Sequence, residues 1–251
     1  MIGVLENIEL KLLAGYSIET DVGNMYQPKI KNIISIGEKE YNQYIGLLLY
    51  DTDLLEIPKN ELKKLGLNKV TTFDFLLFQS MINKNFRKIV REGLSFFFKE
   101  KTYILDNYGL FCIGNFHNHK FINRDNYEYI RKVLIKINYL KDMEEEEELQ
   151  FGNELARQWY LEIKKAEQNK PNPKPQVNLH SIISAMIWRT QKSIDEILNM
   201  TVYQLYDGYH RLFLIDDCLG IKEGIYHGTV DGKEIKPNDL NWAKIIKFEE
   251  N

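Results

Sequence analysis

Cysteine and proline are scarce in this chain. Of its 251 residues, only two are cysteines and six are prolines. Cys112 and Cys218 lie far apart and form no Cys-x-x-Cys pair, which argues against a zinc ribbon or a dithiol redox motif. We expect two buried thiols rather than a disulfide.

The chain also lacks a long apolar run and an excess of one charge. No uninterrupted apolar stretch approaches the roughly 20 residues that a membrane span needs. Acids stand early in the opening MIGVLENIELKLLAG, where a signal peptide would carry basic residues. There are 33 basic and 36 acidic residues, a net charge of −3, which argues against a general nucleic-acid binder but not against a small local basic patch. We therefore expect a cytoplasmic protein without membrane contact.

Familiar catalytic motifs are missing as well. The sequence has no Gly-rich phosphate loop, no Gly-x-Ser-x-Gly, no His-Glu-x-x-His and no Ser-x-x-Lys with its partner motifs, which lowers the expectation of catalysis. With 44% hydrophobic residues, the chain can bury a substantial core. The missing motifs and the large predicted core together predict a non-enzymatic protein that acts through protein partners, with no catalytic residue, cofactor or metal site.

The clearest structural signals lie between residues 178 and 220. Ser193 is followed three residues later by Glu196, and Thr201 by Gln204; both pairs fit the capping box that starts a helix. Gly220 is a candidate C-terminal stop. Two apolar stripes at helical spacing accompany these signals: Leu179, Ile182, Ile183, Met186 and Ile187, then Val202, Leu205, Tyr206, Tyr209, Leu212 and Phe213. The segment predicts three packed helices.

The pattern as a whole predicts an α+β fold that is predominantly α-helical, with a small antiparallel β-meander and a C-terminal hairpin. The meander falls at about residues 102–122, where the β-prone stretches TYIL, GLFCI and FHNHKFI alternate with turns. Asp231-Gly232 is a type I′ turn signal for the hairpin. A short final helix from Asn238 would include Trp242.

A proline-rich stretch divides the chain. Pro171, Pro173 and Pro175 lie in NKPNPKPQ and are half of all prolines; alternate prolines favour an extended spacer. We predict a mixed helical domain over residues 1–168 that contains the sheet, a linker over 169–177, and a C-terminal three-helix segment with the hairpin over 178–251.

Within the first domain, residues 1–28 are expected to form an extended or weakly ordered lead-in, broken by Gly15, Gly23 and Pro28. Helices are predicted after it on the basis of apolar spacing and caps: from Lys29 to Gly37, from Glu38 to Leu49, from Pro58 to Leu65, from a cap at Thr71 or Thr72, from Lys84 to Phe98, from Asn123 or Asp125 to Leu140, and from about Glu147 to Gln168.

Three groups of polar residues are candidate sites. His117 and His119, in HNHK, would share one face of a strand and suggest an HNH-type nuclease, but no third ligand lies close in sequence; exposed strand histidines are the favoured interpretation. Asp216, Asp217 and Glu223 suggest a cation site, yet adjacent residues on a helix point about 100° apart, which favours solvated acids. The run Glu144–Glu148 is interpreted as solvated rather than as an interaction tail.

The stretch KNFRKIVREGLSFFFKEK, residues 84–101, mixes bases with aromatics. It would suit an acidic partner or RNA. The spacing of Phe86, Ile89, Val90, Leu94 and Phe97 instead favours a plain amphipathic helix, with an apolar side buried and the bases outside.

Two segments carry a resemblance: PKIKNIISIGEKEYNQYIGLLLYD at 28–51 and VNLHSIISAMIWRTQKSIDEILNMTVYQLYDGYHRL at 177–212. They resemble tail-assembly proteins of bacteriophages and phage-tail-like particles of low-GC Gram-positive hosts. In that group an Ile-Gly-Glu-x-x-Tyr-Asn element lies near the N-terminus and a Leu-Thr-x-Tyr-Gln-Leu-Tyr-Asp element near the C-terminus, where this chain has Met200 in place of the first leucine.

The resemblance covers about a quarter of the chain and implies no catalytic residues. It implies a protein that chaperones the tape-measure protein of a tail, or a minor tail or baseplate component, located in the host cytoplasm or incorporated in the particle. The alternatives are a metal-dependent nuclease built on His117 and His119, and a binding module that reads nucleic acid through residues 84–101 or 178–220.

Overall fold

The computed structural model describes residues 8–52, 70–140 and 177–246. Four predicted segments lie outside the described residues: the helix after Pro58, the run Glu144–Glu148, the helix from Glu147, and the linker up to residue 176. The described helices are α1 (Ile8–Leu13), α2 (Ile30–Ile36), α3 (Glu38–Leu48), α4 (Thr72–Ile82), α5 (Lys84–Phe98), α6 (Arg124–Ile137), α7 (Leu179–Thr190), α8 (Ile194–Asn199) and α9 (Val202–Tyr226). The strands are β1 (Ile18–Thr20), β2 (Gly23–Met25), β3 (Thr102–Leu105), β4 (Leu110–Ile113) and β5 (Phe121–Ile122). The predicted class, α+β and mainly α-helical, is confirmed.

Residues 8–28 are more ordered than predicted. Within them, α1 is followed by the antiparallel hairpin β1–β2, with Ile18 opposite Met25. The Gln27 side chain donates to the backbone oxygens of Lys11 (3.3 Å) and Tyr16 (2.8 Å), which fastens the hairpin to the helix. The lead-in prediction was wrong because the apolar residues of this stretch are buried in the main core: Ile8, Leu12, Ile18, Val22 and Met25.

Helices α3 and α5 pack closely, because a glycine stands at their contact. A Cβ atom added at Gly93 would lie 3.2 Å from Leu48 Cδ1 and from Tyr44 Cβ, closer than nearly all real contacts. Tyr41 of α3 meets Phe96 edge-to-face, at 5.9 Å between ring centroids, an arrangement that aromatic pairs prefer.

The caps predicted for the middle helices are confirmed. The Thr71 side chain accepts from Asp74 N at 3.2 Å, and the Asp74 carboxylate accepts from Thr71 N at 2.9 Å. The Asn123 side chain likewise accepts from Asn126 N at 3.0 Å. One side of α6 is buried as well: Tyr127, Ile130, Leu134 and Ile137. At its start, the Tyr127 hydroxyl donates to Leu48 O at 2.8 Å.

The predicted meander is confirmed in the order β3–β4–β5, with both pairs antiparallel. Gly109, at φ 62°, makes the first turn with the left-handed backbone that glycine adopts at least cost. The third strand is shorter than FHNHKFI suggested. Residues Phe116–Asn118 form a 3₁₀ turn, and only Phe121 and Ile122 pair with β4.

Helices α7 to α9 confirm the three predicted helices and both capping boxes. The Ser193 hydroxyl accepts from Glu196 N at 3.3 Å, and the Thr201 hydroxyl accepts from Gln204 N at 3.2 Å. Gly220, however, does not end α9, which continues to Tyr226. The stop is Gly228, at φ 71°, where Thr229 N donates to Gly224 O and Gly228 N to Ile225 O; these two bonds make a Schellman motif.

The predicted C-terminal hairpin is wrong. Asp231 caps a 3₁₀ turn, Gly232–Glu234, by accepting from Lys233 N at 3.0 Å, and the final helix from Asn238 is a 3₁₀ turn, Pro237–Leu240. The Schellman motif folds the chain back against α9, and up to residue 246, where the described residues end, no strand follows the Asp231-Gly232 signal. This tail is held by Arg211, whose guanidinium donates to Trp242 O (2.7 Å) and Lys244 O (2.8 Å).

Backbone hydrogen bonds join the C-terminal helices to the first part of the chain. Ile30 N donates to Met200 O at 3.0 Å, and Val202 N donates to Pro28 O at 3.0 Å. Between them, Lys29 and Thr201 form an antiparallel bridge. Buried residues of the C-terminal helices share one hydrophobic cluster with those of α1 to α6: Leu179, Ile182, Met186, Ile197, Val202 and Leu205. The domain boundary at 169–177 stays a prediction.

Candidate docking surfaces

The two histidines of HNHK do not lie on a strand, so that prediction was wrong. His117 belongs to the 3₁₀ turn, and His119 caps that turn in the left-handed region at φ 53°. Their rings pack edge-on against aromatic neighbours: His117 against Phe116 at 6.3 Å and His119 against Phe121 at 6.0 Å. Across residues 8–52, 70–140 and 177–246, no group of three histidine, cysteine or acidic side chains is placed to hold a metal ion.

The acids of α9 do not converge either. Asp216 forms an ion pair with Arg189 of α7, and Asp217 is exposed on the neighbouring side of the helix. Glu223 lies two turns further on, at the exposed surface. The interpretation as helix-surface acids therefore fits their positions. Both cysteines are buried thiols outside any disulfide, as the sequence predicted.

A cluster of aromatic rings joins α6 to α9. Tyr139, just past the end of α6, stacks on Tyr206 and His210, with centroids 6.3 Å and 5.5 Å away, and meets Tyr203 edge-on at 5.2 Å. Burial, with nearby Asp207, raises the pKa of Tyr203 to about 12, and burial lowers the pKa of His210. Both shifts favour neutral side chains, which suits their packing in a partly buried cluster.

Sequence reasoning missed this cluster because its members are remote in the chain. Tyr139 follows α6, while Tyr203, Tyr206 and His210 lie on α9. The helical spacing of the three residues on α9 placed them on one side of the helix, but no sequence signal indicated Tyr139 as their partner.

Helix α9 buries different sides in its two halves. In the first half, Leu205 faces the core; in the second, Cys218 is the buried residue. At about 100° per residue, these two side chains point about 140° apart. Asp216, on the same side as Leu205 but three turns later, is exposed. The helix therefore extends past the edge of the core, and the side that is buried in its first half faces solvent in its second.

Large apolar side chains flank this exposed side of α9. Phe213 is 54% exposed, and Tyr226 is 85% exposed. By helical geometry, Phe213 lies on one flank of the line through Asp216 and Glu223, while Leu219 and Tyr226 lie on the other. We call these five residues the α9 surface. Trp188 of α7, beside the Arg189 that pairs with Asp216, is 84% exposed. Exposed apolar groups of this size are typical of protein–protein interaction sites.

A second apolar surface lies on the outer face of the three-stranded sheet. Tyr103, Cys112 and Phe121 stand side by side across β3, β4 and β5. Tyr103 and Cys112, together with Phe116, line an open groove, and Phe121 packs against Phe116. We call this the sheet groove.

The comparisons with known proteins reach only the C-terminal part of the chain. Residues 168–247 match the family model described as the YomV second domain, which covers α7, α8, α9 and the tail. The name belongs to a Bacillus phage-derived family, so the match supports a phage-related protein. No curated protein matches. No solved structure matches. In the described part of the chain, no helix is both long and apolar enough to cross a membrane.

Proposed function

We propose that this protein is a tail-assembly factor of a bacteriophage or a phage-tail-like particle, and that it acts by binding protein partners rather than by catalysis. The observation that carries the proposal is the α9 surface, which lies within the segment that matches the phage-related family. The resemblance of residues 28–51 and 177–212 to tail-assembly proteins supports the same assignment.

The partner that suits the α9 surface is an amphipathic helix with basic residues beside its apolar stripe. Phe213, Leu219 and Tyr226 offer apolar contacts, and Glu223 offers negative charge on the same side of the helix. Burying one such aromatic side chain contributes about 1.5–3 kcal/mol. A tape-measure protein is a long helix whose apolar stripe needs cover before the tail is built, and helix docking would supply it.

The chaperone role places the protein in the host cytoplasm, from which it would leave the assembled tail. The second candidate within this class is a minor tail or baseplate component, which would stay in the particle. Mass spectrometry of purified particles separates the two roles, because only the structural component is recovered with the mature tail.

The test is co-expression with the tape-measure protein and other tail proteins of the same particle, followed by size-exclusion chromatography. We expect a complex with the wild type and its loss in the double variant Phe213→Ser/Tyr226→Ser, which removes two exposed rings and leaves the core intact. The control is Tyr108→Ser, which removes an exposed ring from the sheet region and should leave the complex unchanged. Failure of the wild type to bind any tail component would count against the proposal.

A further inference from the structure

The sheet groove plays no part in the proposed function, and its side chains suggest a separate ligand. The strand register places Ile104, Phe111 and Ile122 on the inner face, in the core, and Tyr103, Cys112 and Phe121 on the outer face. Cys112 is buried and forms the floor between the rings of its two neighbours. Tyr103, at 42%, and Phe116, at 47%, remain exposed at the walls.

Flat rings dominate this surface. Phe116 lies 5.3 Å from Phe121 and 6.4 Å from Tyr108, measured between ring centroids. Tyr103 stands on the other wall of the groove, which is also lined by Lys101 and Asn115. Successive aromatic faces of this kind are suited to stacking with other planar groups.

The cation that lines the groove is Lys101, and the sequence segment that contains it is rich in basic residues. Lys101 Nζ lies 5.3 Å from the centroid of the Tyr103 ring. The nearby acids are already neutralised, since Glu100 pairs with Lys120 at 2.6 Å and Asp106 pairs with Arg87 at 2.7 Å. From residue 84 to residue 124 the chain carries eight basic residues against three acidic ones, although the whole protein has 33 against 36. The basic residues are Lys84, Arg87, Lys88, Arg91, Lys99, Lys101, Lys120 and Arg124.

The β3 edge is closed to an added peptide strand. Thr102 N donates to Ser95 Oγ at 2.9 Å, and Ile104 O accepts from Arg87 Nη2 at 3.1 Å. Strand addition needs these backbone groups to be open. A ligand of the groove therefore binds without adding a strand at β3, and the groove offers it aromatic rings and the Lys101 ammonium, the two kinds of group that form single-strand nucleic-acid sites.

We propose that the sheet groove binds single-stranded nucleic acid, with bases stacked on Tyr103 and Phe116 and the phosphate backbone near Lys101. The site is separate from the α9 surface, so its failure would leave the proposed assembly function untouched. The small negative net charge of the protein is compatible with it, because the positive charge is local.

The test is fluorescence anisotropy of a labelled 12-residue oligothymidylate and a labelled 12-residue oligouridylate at 50 mM and 200 mM salt. We expect both probes to bind more weakly at the higher salt, as phosphate contacts require. The variants Tyr103→Ala and Phe116→Ala should each weaken binding roughly tenfold, as expected for the loss of one stacking ring, while Tyr103→Phe keeps the ring and should retain binding. A preference for one probe would identify DNA or RNA.

Two controls separate the groove from other surfaces. Trp188→Ala removes an exposed ring on α7 and should leave affinity unchanged. Lys84→Glu/Lys88→Glu reverses charge on α5 and should weaken binding less than the ring variants do. Circular dichroism checks that every variant folds.

Three results would overturn the proposal. The first is no binding of either probe by the wild type at 50 mM salt. The second is binding that survives loss of the rings but not loss of the α5 charges, which would indicate a nonspecific basic helix. The third is binding of a labelled oligoglutamate peptide in place of both oligonucleotides, which would assign the groove to an acidic protein partner.

Discussion

The two halves of α9 belong to one continuous helix but are held in different ways. The first half begins at a capping box and places Val202 and Leu205 in the core. The second half extends beyond that core, with Cys218 buried, and Arg211, just before the midpoint of the helix, holds the tail. Stability is therefore concentrated in the first half, and the second half is left with side chains that can contact a partner.

The largest expected effect comes from a pair of leucines on this helix. Leu205 is 0% exposed and Leu219 is 49% exposed. Leu205→Ala should destabilise the protein by about 2–5 kcal/mol, since it removes buried methyl groups and leaves a cavity, whereas Leu219→Ala should change stability by less than about 0.5 kcal/mol. Urea unfolding measures both. Equal losses would mean that the two halves are anchored alike.

A smaller effect is expected from the cap at the start of α9. Thr201→Ala removes the hydroxyl that accepts from Gln204 N at 3.2 Å, which should cost about 0.5–2 kcal/mol. The matched control is Thr229→Ala at the other end, where an exposed hydroxyl donates to Gly224 O at 3.1 Å and its loss should cost little. Amide hydrogen exchange locates the change: the Gln204 amide should lose protection in the first variant only.

The smallest effect concerns the two glycines near the end of α9. Gly220 lies inside the helix, and a Cβ atom added there would meet no atom within 4 Å apart from its chain neighbours and the surrounding helix backbone, so Gly220→Ala should stabilise the helix by about 0.5–1 kcal/mol. Gly228 has φ 71°, and Gly228→Ala should destabilise the end of α9, because an L side chain is strained there. Hydrogen exchange over residues 213–226 should slow in the first variant and accelerate in the second. The opposite pattern would place the end of the helix at Gly220.

Local signals in the sequence were sufficient for the helix starts. Ser193, Thr201, Thr71 and Asn123 all cap the helices predicted from them, because a capping box needs only residues three positions apart. The turns of the meander were predictable for the same reason. The buried side of the helix in residues 84–101 was also predictable from the spacing of its apolar residues, and Val90, Leu94 and Phe97 are buried as expected.

Features that depend on distant partners were not predictable. Gly220 is an ordinary stop signal, yet the helix continues through it to the Schellman motif at Gly228. The Asp231-Gly232 signal lacks a strand on either side, since the tail packs on α9 instead. Residues 8–28 hold few strong sequence patterns, and their order comes from burial against the main core. The sheet groove needed the register of three strands before its rings could be placed together.

The bridge between Lys29 and Thr201 has a consequence for synthesis. Ile30 and Met200, whose backbone groups bond beside it, are about 170 positions apart, so their pairing closes a long loop at an entropic cost that must be met before the contact stabilises anything. Such non-local contacts slow folding. Before the ribosome has synthesised residue 200, the backbone at the start of α2 lacks its partner from the C-terminal helices. The start of α2 therefore completes its backbone hydrogen bonds only after those helices have been synthesised.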